Sequence, residues 1–278
     1  MRMRAADASL APRVIQLAGR QAEWMAEGAR IAQAAGADIV DINMGCPARQ
    51  VTKGLSGSAL MRDLDHAMTL IEATLAPVSI PVTLKMRLGW DHDCLNAPEL
   101  ARRAVDAGVA MITVHGRTRQ QFYTGQADWS AVRAVREAVQ VPLLVNGDIA
   151  TLAQASEALT LSGADGVMVG RAAQGRPWLV GEIGAGLITG TMPDTPWAAK
   201  VAAVMEQSAE AYDFYGEALG VRMMRKHFAS FLEFDGGHLS PEILAAIRDV
   251  LCRSREIAAI RDALHRLLDH PPGQRIAA

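Results

Sequence analysis

A cysteine directly follows an apolar stretch of the chain, in a setting that could make it an acid or a nucleophile. The run Asp38–Ile42 leads into Asn43-Met44-Gly45-Cys46-Pro47. An apolar run that stops at Asn, Gly and Pro is typical of a parallel strand whose carboxyl end opens into a loop, where α/β proteins carry their functional groups. We therefore predict that the Cys46 thiol lies at the mouth of a site, where its pKa sets its role. A buried cysteine without chemistry is the alternative.

Glycines and polar residues near the end of the apolar runs could hold an anion. Asn146-Gly147-Asp148 ends one run, and Gly170-Arg171 ends the last run before Gly175-Arg176-Pro177 enters a helix. Glycines let the backbone approach an anion, amides at a helix start donate to it, and Arg171 adds a charged fork. These residues predict a phosphate site, since the last strands of β/α barrels commonly hold one. Glycines that serve only as turns are the alternative.

Lys85 lies inside the apolar run Pro81–Arg87. A buried cation there is costly unless it is paired or faces the rim of the sheet. A flavin is a natural partner, because its reduced ring carries negative charge that a lysine can stabilise. The alternative is a structural ion pair with Asp41 or Asp148.

His115 ends another apolar run and is followed by Gly116-Arg117-Thr118-Arg119. The sequence offers no second histidine at metal-ligand spacing, so a metal site is not predicted. The two arginines favour contact with an anion or a substrate, and a histidine that is merely hydrogen-bonded is the alternative.

A repeated unit of one strand and one helix must position these groups. We predict six strands, each too apolar to have a wet face, separated by amphipathic helices, which indicates a parallel sheet covered by helices. A doubly wound sheet or a β/α barrel would fit. Because every strand ends in a polar residue, we expect a barrel with its site on the carboxyl face. The polar ends are Gln16, Asn43, Lys85, His115, Asn146 with Asp148, and Arg171.

The β/α alternation stops at Ile188–Pro196, where Gly, Pro and Thr accumulate. We predict a first domain over residues 1–190 and a helical domain over residues 191–278. In the helical domain, Arg222, Arg225 and Lys226 share a helix face and His227 follows them. Such a stripe can neutralise RNA phosphates, and a solvated helix face is the alternative.

Composition limits the possible classes of protein. The chain has 278 residues, 50% of them hydrophobic, a net charge of −2 and three cysteines. The cysteines are widely spaced without a C-x-x-C pair, which argues against disulfides and zinc and favours a cytoplasmic setting. No apolar run reaches the roughly 18 residues that a membrane span needs. The small net charge predicts that any polyanion is held by a local patch.

Five motifs in order resemble those of the tRNA-dihydrouridine synthases, most closely the bacterial B type. They are Asn43-Met44-Gly45-Cys46-Pro47, Lys85-Met86-Arg87, His115-Gly116-Arg117-Thr118-Arg119, Asn146-Gly147-Asp148-Ile149 and Gly170–Trp178. The resemblance implies an FMN enzyme that takes electrons from NADPH and reduces the C5–C6 bond of a uridine in the tRNA D-loop. It further implies hydride transfer to C6 and a proton from Cys46 to C5. The target base must leave its stack to reach the flavin.

The resemblance also implies roles for individual residues. Gln16 and Lys85 would contact the flavin ring, and His115 the cofactor edge. The ribityl phosphate would be held by Asn146, Gly147, Asp148, Gly170 and Arg171. Substrate contacts would come from Asn43, Arg87, Arg117 and Arg119 in the barrel and from Arg222, Arg225, Lys226 and His227 in the helical domain. We expect a monomer without a metal.

The family barrel has eight strands and begins with a Pro-Met-x-Gly-x-Thr-Asp segment that is absent from this sequence. We therefore expect six of the eight strands, with the two N-terminal units missing. Two other functions remain open: an FMN barrel oxidoreductase that acts on a free pyrimidine, and an inactive RNA-binding chain.

Overall fold

The computed structural model describes residues 11–48 and 55–273. These residues form two compact units. The first extends to Ile149 and includes Ala153–Val169, and the second comprises Ala150–Leu152 and the chain from Gly170 onward. Among the described residues, none of the helices is both long and apolar enough to cross a membrane.

Within the part of the chain that the structure describes, the first unit is built on six parallel strands in a single sheet. Each strand pairs with the next one along the chain, from β1 to β6. A doubly wound sheet would reverse its strand order at a switch point, whereas sequential order is that of a β/α barrel. The fold is therefore of the TIM type, as predicted, with six strands. They are β1 Val14–Leu17, β2 Ile39–Met44, β3 Val82–Arg87, β4 Met111–His115, β5 Leu143–Asn146 and β6 Gly166–Met168.

Helices connect these strands and cover the sheet. They are α1 Ala22–Ala34, α2 Leu64–Leu75, α3 Ala97–Asp106, α4 Arg133–Ala138 and α5 Leu152–Ser162. The buried face of α1 consists of Met25, Ala29 and Ala32, and small side chains at such positions allow close packing of a helix. At the start of α2, the Asp63 side chain accepts a hydrogen bond from the His66 amide and caps the helix.

The two faces of the sheet differ in polarity. One face is entirely apolar and includes Val40, Ile42, Leu84 and Val114, all of which are at most 1% exposed. Since side chains alternate along a strand, the other face carries the intervening residues. These include Gln16, Asp41, Asn43, Thr83, Lys85, Arg87, Thr113, His115 and Asn146, which the strand register places side by side. Gln16, Asn43, Lys85, His115 and Asn146 are the polar strand ends that the sequence indicated, and Asp41, Thr83 and Thr113 add to the same face.

The second unit is helical in the described residues, as predicted. Its helices are α6 Trp178–Thr189, α7 Trp197–Tyr215, α8 Glu217–Asp235, α9 Pro241–Arg253 and α10 Ile257–Arg266. Their core includes Trp197, whose ring stacks on Phe231 at a centroid distance of 5.3 Å. The buried Asp235 carboxylate joins Arg176 and Lys200, each at 3.0 Å. The predicted domain division at residue 190 stays a prediction. The second compact unit comprises Ala150–Leu152 and the chain from Gly170 onward, and so includes α6.

Candidate active site

The backbone around Cys46 is held on both sides of the cysteine. The Asn43 side chain accepts hydrogen bonds from the Gly45 and Cys46 amides at 3.1 and 2.9 Å. The Cys46 carbonyl accepts from the Ser58 amide at 3.1 Å and from the Ser58 hydroxyl at 2.9 Å. Arg87 Nε donates to the Gly45 carbonyl at 2.8 Å. The half-buried cysteine therefore lies in a loop whose peptide groups have fixed partners.

A chain of side chains on the polar face of the sheet supports Asn43. Asn43 Nδ2 donates to Gln16 Oε1 at 2.8 Å, and Gln16 Nε2 donates to Asp41 Oδ2 at 2.6 Å. The second oxygen of Asp41 accepts from the Thr83 hydroxyl at 2.6 Å. Burial raises the pKa of Asp41, and the hydrogen bonds from Gln16 and Thr83 oppose that shift. From the sequence, Asp41 was considered only as an alternative ion-pair partner of Lys85, and Thr83 was not singled out.

Lys85 provides a cation on the same face. Its Nζ donates to Asn146 Oδ1 at 3.2 Å, and Asn146 Nδ2 donates to the Met168 carbonyl at 2.7 Å. Burial and, to a smaller extent, repulsion by Arg87 lower the pKa of Lys85 to about 8. Interactions with Asp41 and Cys46 act in the opposite direction. An electron-rich ligand would be stabilised by this ammonium, because a poorly hydrated cation interacts strongly with nearby negative charge.

The spare hydrogen-bonding capacity of Lys85 fits a bound ligand. An ammonium has three N–H donors. Within the described ranges, the structure gives Nζ one hydrogen-bond acceptor, Asn146 Oδ1. A reduced flavin ring, which carries negative charge and several acceptors, is chemically suited to the remaining donors.

His115 and Arg117 form a second buried cluster. Burial, assisted by the positive charges of Arg87, Lys85 and Arg117, lowers the pKa of His115 to about 3. Arg117 Nη1 lies 3.3 Å from His115 Nε2. Because a guanidinium can only donate, Nε2 is the acceptor and the proton of the neutral ring lies on Nδ1. The structure therefore favours a neutral His115 as a hydrogen-bonding group.

The loop that follows β5 is fixed by Arg117 and by a glycine. Arg117 Nη1 and Nη2 donate to the two oxygens of Asp148 at 2.9 and 2.5 Å. Gly147 has a φ of +119°, and a Cβ there would lie 2.7 Å from the Cβ of Ala127. The predicted contact between Asp148 and a phosphate stays a prediction. Because the Asp148 carboxylate would repel a phosphate, a contact through the Asp148 main chain is favoured.

Arg87 and Arg117 are the largest buried polar side chains in the first unit. They are 1% and 2% exposed. Arg87 Nη1 donates to the carbonyls of Thr118 and Phe122 at 2.8 and 2.9 Å, in addition to the bond from Nε to Gly45. Their predicted contact with substrate stays a prediction, and this geometry favours a role in positioning the loops that follow β2 and β4.

Trp90, on the loop that follows β3, lies close to two arginines. The Trp90 ring has the guanidinium of Arg62 at 4.9 Å and that of Arg119 at 5.0 Å from its centroid. Both distances are in the range of cation–π attraction. Arg119, a predicted substrate contact, therefore has a positioned guanidinium.

Comparisons with known proteins agree with the motifs that meet on the polar face. The family model for dihydrouridine synthase (Dus) matches residues 1–246 of the chain. The chain belongs to the dihydrouridine synthase family. Its members are oxidoreductases, so the chain is identified as an enzyme of that class.

Individual relatives support this assignment. A probable tRNA-dihydrouridine synthase of Rhizobium leguminosarum bv. phaseoli is 51% identical over 263 residues, which cover 94% of this chain and 80% of that protein. A second, from Rhodobacter capsulatus, is 54% identical and covers 84% and 73% of the two chains. The tRNA-dihydrouridine synthase B of Xanthomonas campestris pv. campestris is 40% identical and covers 94% and 78%. The resemblance predicted from the five motifs is confirmed.

The remaining residues assigned from the dihydrouridine synthase motifs lie in the second unit. Gly170 immediately precedes a short 3₁₀ helix, Arg171–Ala173, and both Gly170 and Arg171 are exposed. Their predicted contact with the flavin phosphate stays a prediction.

A cleft with three arginines lies at the start of α8. Arg222, Arg225 and Arg255 line it together with Glu217, and its volume is about 590 Å³. Arg225 Nη2 donates weakly to the carbonyls of Arg253 and Ser254, at 3.3 and 3.4 Å, near the end of α9. Arg255 was missed because it follows α9, about thirty residues after the stripe that the sequence indicated.

Lys226 and His227 are not among the residues that line this cleft. Lys226 is exposed and His227 is half-buried. Burial, followed by the charge of Lys226, lowers the pKa of His227. Their predicted contact with the substrate stays a prediction. Among the described residues, no group of three or more His, Cys, Asp or Glu side chains could hold a metal ion.

Proposed function

We propose that this dihydrouridine synthase reduces a uridine in the D-loop of tRNA to 5,6-dihydrouridine, with FMN as bound cofactor and NADPH as reductant. Membership of the family supports the reaction, and relatives with 40–54% identity are named for it. When bound, FMN would supply the hydride that adds to C6 of the uracil ring, and NADPH would restore its reduced form.

Cys46 is proposed to provide the proton that C5 receives. Reduction of a C5–C6 double bond needs a hydride at one carbon and a proton at the other, so an acid must be held beside the ring. The observation that carries this proposal is the fixed backbone around Cys46. The Cys46 amide and carbonyl form hydrogen bonds with the side chains of Asn43 and Ser58, and the preceding Gly45 carbonyl accepts from Arg87. A fixed loop keeps the thiol in one place while the flipped base enters.

Lys85 and Gln16 are proposed to bind the flavin ring, and neutral His115 its edge. The Lys85 ammonium would stabilise the negative charge of the reduced ring, because burial removes much of the water that would otherwise screen it. Asn146 orients that ammonium through its Oδ1 atom. Arg87 and Arg117 would keep the surrounding loops in place through their main-chain contacts.

The cationic cleft of the second unit is proposed to bind tRNA phosphates through Arg222 and Arg225, assisted by Arg255. Side chains of this type neutralise phosphates and give salt-dependent affinity. Lys226 and His227 would extend the contact along α8. We expect the protein to act as a monomer.

The test is turnover by the purified chain with FMN, NADPH and unmodified tRNA transcribed in vitro. We expect FMN absorbance to copurify or be reconstituted, and Cys46→Ala to lower the rate by roughly 10²–10⁴-fold while FMN is retained. Cys252→Ala is the matched control, because that thiol lies on α9 in the second unit and should leave turnover unchanged.

Each outcome separates the proposal from its competitors. Turnover of Cys46→Ala at the wild-type rate would show that Cys46 is not the acid. Reduction of a free pyrimidine without RNA would favour a small-molecule oxidoreductase. A chain that binds tRNA but neither retains nor accepts FMN would be an RNA-binding protein without this activity.

A further inference from the structure

The Asp41 carboxylate is buried and is linked to the Cys46 backbone through the side chains of Gln16 and Asn43. It is 8% exposed, and its two oxygens accept hydrogen bonds from Gln16 and Thr83 at 2.6 Å each. The first of these bonds begins a relay that runs through Gln16 to Asn43 and ends at two amides of the cysteine loop.

The carboxylate at one end of this relay and the donor-only amides at the other require the same direction for every bond. An ionised carboxylate only accepts, so Gln16 must point its Nε2 at Asp41. Its Oε1 then faces Asn43 and accepts from Asn43 Nδ2. This leaves Asn43 Oδ1 facing the Gly45 and Cys46 amides, which can only donate.

A carboxamide can present either its oxygen or its nitrogen to a neighbour, so the opposite arrangement is available to both amides in principle. If Gln16 turned over, Asn43 would have to turn over as well. Its Nδ2 would then face two N–H groups, and both hydrogen bonds to the loop would be lost. An acceptor-only group at position 41 excludes this reversed arrangement.

We propose that Asp41 is a positioning residue, which fixes the orientation of Gln16 and Asn43 and so holds the Gly45–Cys46 backbone. Its importance for catalysis rests on the proposed function of Cys46, whereas the structural effect does not. The charge of Asp41 also attracts the Lys85 ammonium and raises the pKa of that lysine. A role of Asp41 as a simple counter-charge for Lys85 is therefore the competing explanation.

Hydrogen–deuterium exchange at the Gly45 and Cys46 amides tests the relay in the full chain. Asp41→Leu removes the acceptor at similar size, and we expect both amides to exchange about five to tenfold faster. Asp41→Asn removes the charge but can keep an oxygen toward Gln16 while its nitrogen donates to the Thr83 hydroxyl. We expect this variant to exchange within about twofold of the wild type.

Thr83→Val is the matched control for packing. It removes the hydrogen bond from the Thr83 hydroxyl to Asp41, which is as long as the bond from Gln16 but does not lead to Cys46. Exchange at the two amides should stay within about twofold of the wild type in this variant. If Asp41→Leu does not fold, Gln16→Leu cuts the next link at an exposed position and should accelerate exchange in the same way.

The proposal is overturned if Asp41→Leu and Gln16→Leu exchange like the wild type. It is also overturned if Asp41→Asn is as fast as Asp41→Leu, since charge rather than direction would then matter. Equal acceleration by Thr83→Val would assign the effect to packing. None of these readings depends on turnover, so a failure of the relay is distinguishable from a failure of Cys46 as the acid.

Discussion

The charged residues of the two candidate sites are held in different ways. In the first unit, Asp41, Lys85 and Arg87 on the polar face of the sheet and Arg117 in the loop after β4 have hydrogen-bond partners in the protein. The cleft of the second unit instead presents Arg222 to solvent, although the same unit buries the Asp235 carboxylate with Arg176 and Lys200.

This difference matches the kind of ligand that each unit is proposed to bind. Buried and bonded groups are held in fixed positions, which suits a reaction at two atoms of one ring. Exposed arginines on a helix are mobile and well solvated, which suits phosphates spread over a large RNA surface. Substitution of Arg117 should therefore affect stability, and substitution of the cleft arginines should affect binding.

The largest expected effect is that of Arg117→Ala. It leaves the Asp148 carboxylate without its bidentate partner and removes donors to main-chain carbonyls, so we expect a loss of about 3–5 kcal/mol in the free energy of unfolding. Urea unfolding measures it. Arg222→Ala, at an exposed position of the second unit, is the comparison and should change stability by less than about 0.5 kcal/mol. Equal losses in the two variants would remove the contrast between the units.

A second prediction concerns pH. The pKa of Lys85 falls from 10.5 in the unfolded chain to about 8 in the folded one. Between these values the unfolded chain binds more protons, so the contribution of Lys85 to the free energy of unfolding rises with pH. The difference between wild type and Lys85→Met should increase by up to about 3 kcal/mol from pH 8 to 10.5. Urea titrations at several pH values measure it, and a constant difference would contradict burial of the ammonium.

Smaller effects are expected in the arginine cleft. Arg222→Ala and Arg255→Ala should each weaken tRNA binding and lower the slope of log affinity against log salt by about 0.7–0.9, the value for one lost phosphate contact. Glu217→Gln, which removes the acid that lines the same cleft, should strengthen binding. Filter binding at several salt concentrations provides the measurement. An unchanged slope in both arginine variants would place the RNA elsewhere.

The smallest effect is expected at Trp90. Replacement by Leu removes the ring that holds Arg62 and Arg119, and a lost cation–π contact of about 0.5–1 kcal/mol corresponds to roughly two to fivefold weaker tRNA binding. Arg62→Ala and Arg119→Ala separate the two cations. If Trp90→Leu binds tRNA like the wild type while Arg119→Ala does not, the arginine acts without the ring.

The sequence was sufficient to predict the strands, their parallel order and the helical region. Buried strands and glycine stops are local signals, and the five motifs identified the family. Asn43 and Lys85 were predicted as polar strand ends, whereas the contribution of Asp41 and Thr83 to the same face was missed, because the apolar content of each run outweighed its period of two.

Contacts between distant residues could not be predicted. The bond from Asp41 to Gln16 joins residues 25 positions apart and depends on the register of β1 and β2. The pairing of Arg117 with Asp148 requires Gly147 and Asp148 to adopt positive φ. Neither the register of two strands nor a backbone φ angle is determined by residue type alone. The polar residues could therefore be identified from the sequence, but their hydrogen-bond partners could not.

The contrast between the two faces of the sheet also limits how this protein can evolve. Within β3, Leu84 packs beneath the helices while Lys85 faces the site, and the same frame serves both tasks. Deletion or insertion of one codon inside the strand would exchange these positions, so that folding and chemistry would fail together. Changes of length should therefore accumulate in the connections, and the strands should tolerate replacement of residues much better than indels.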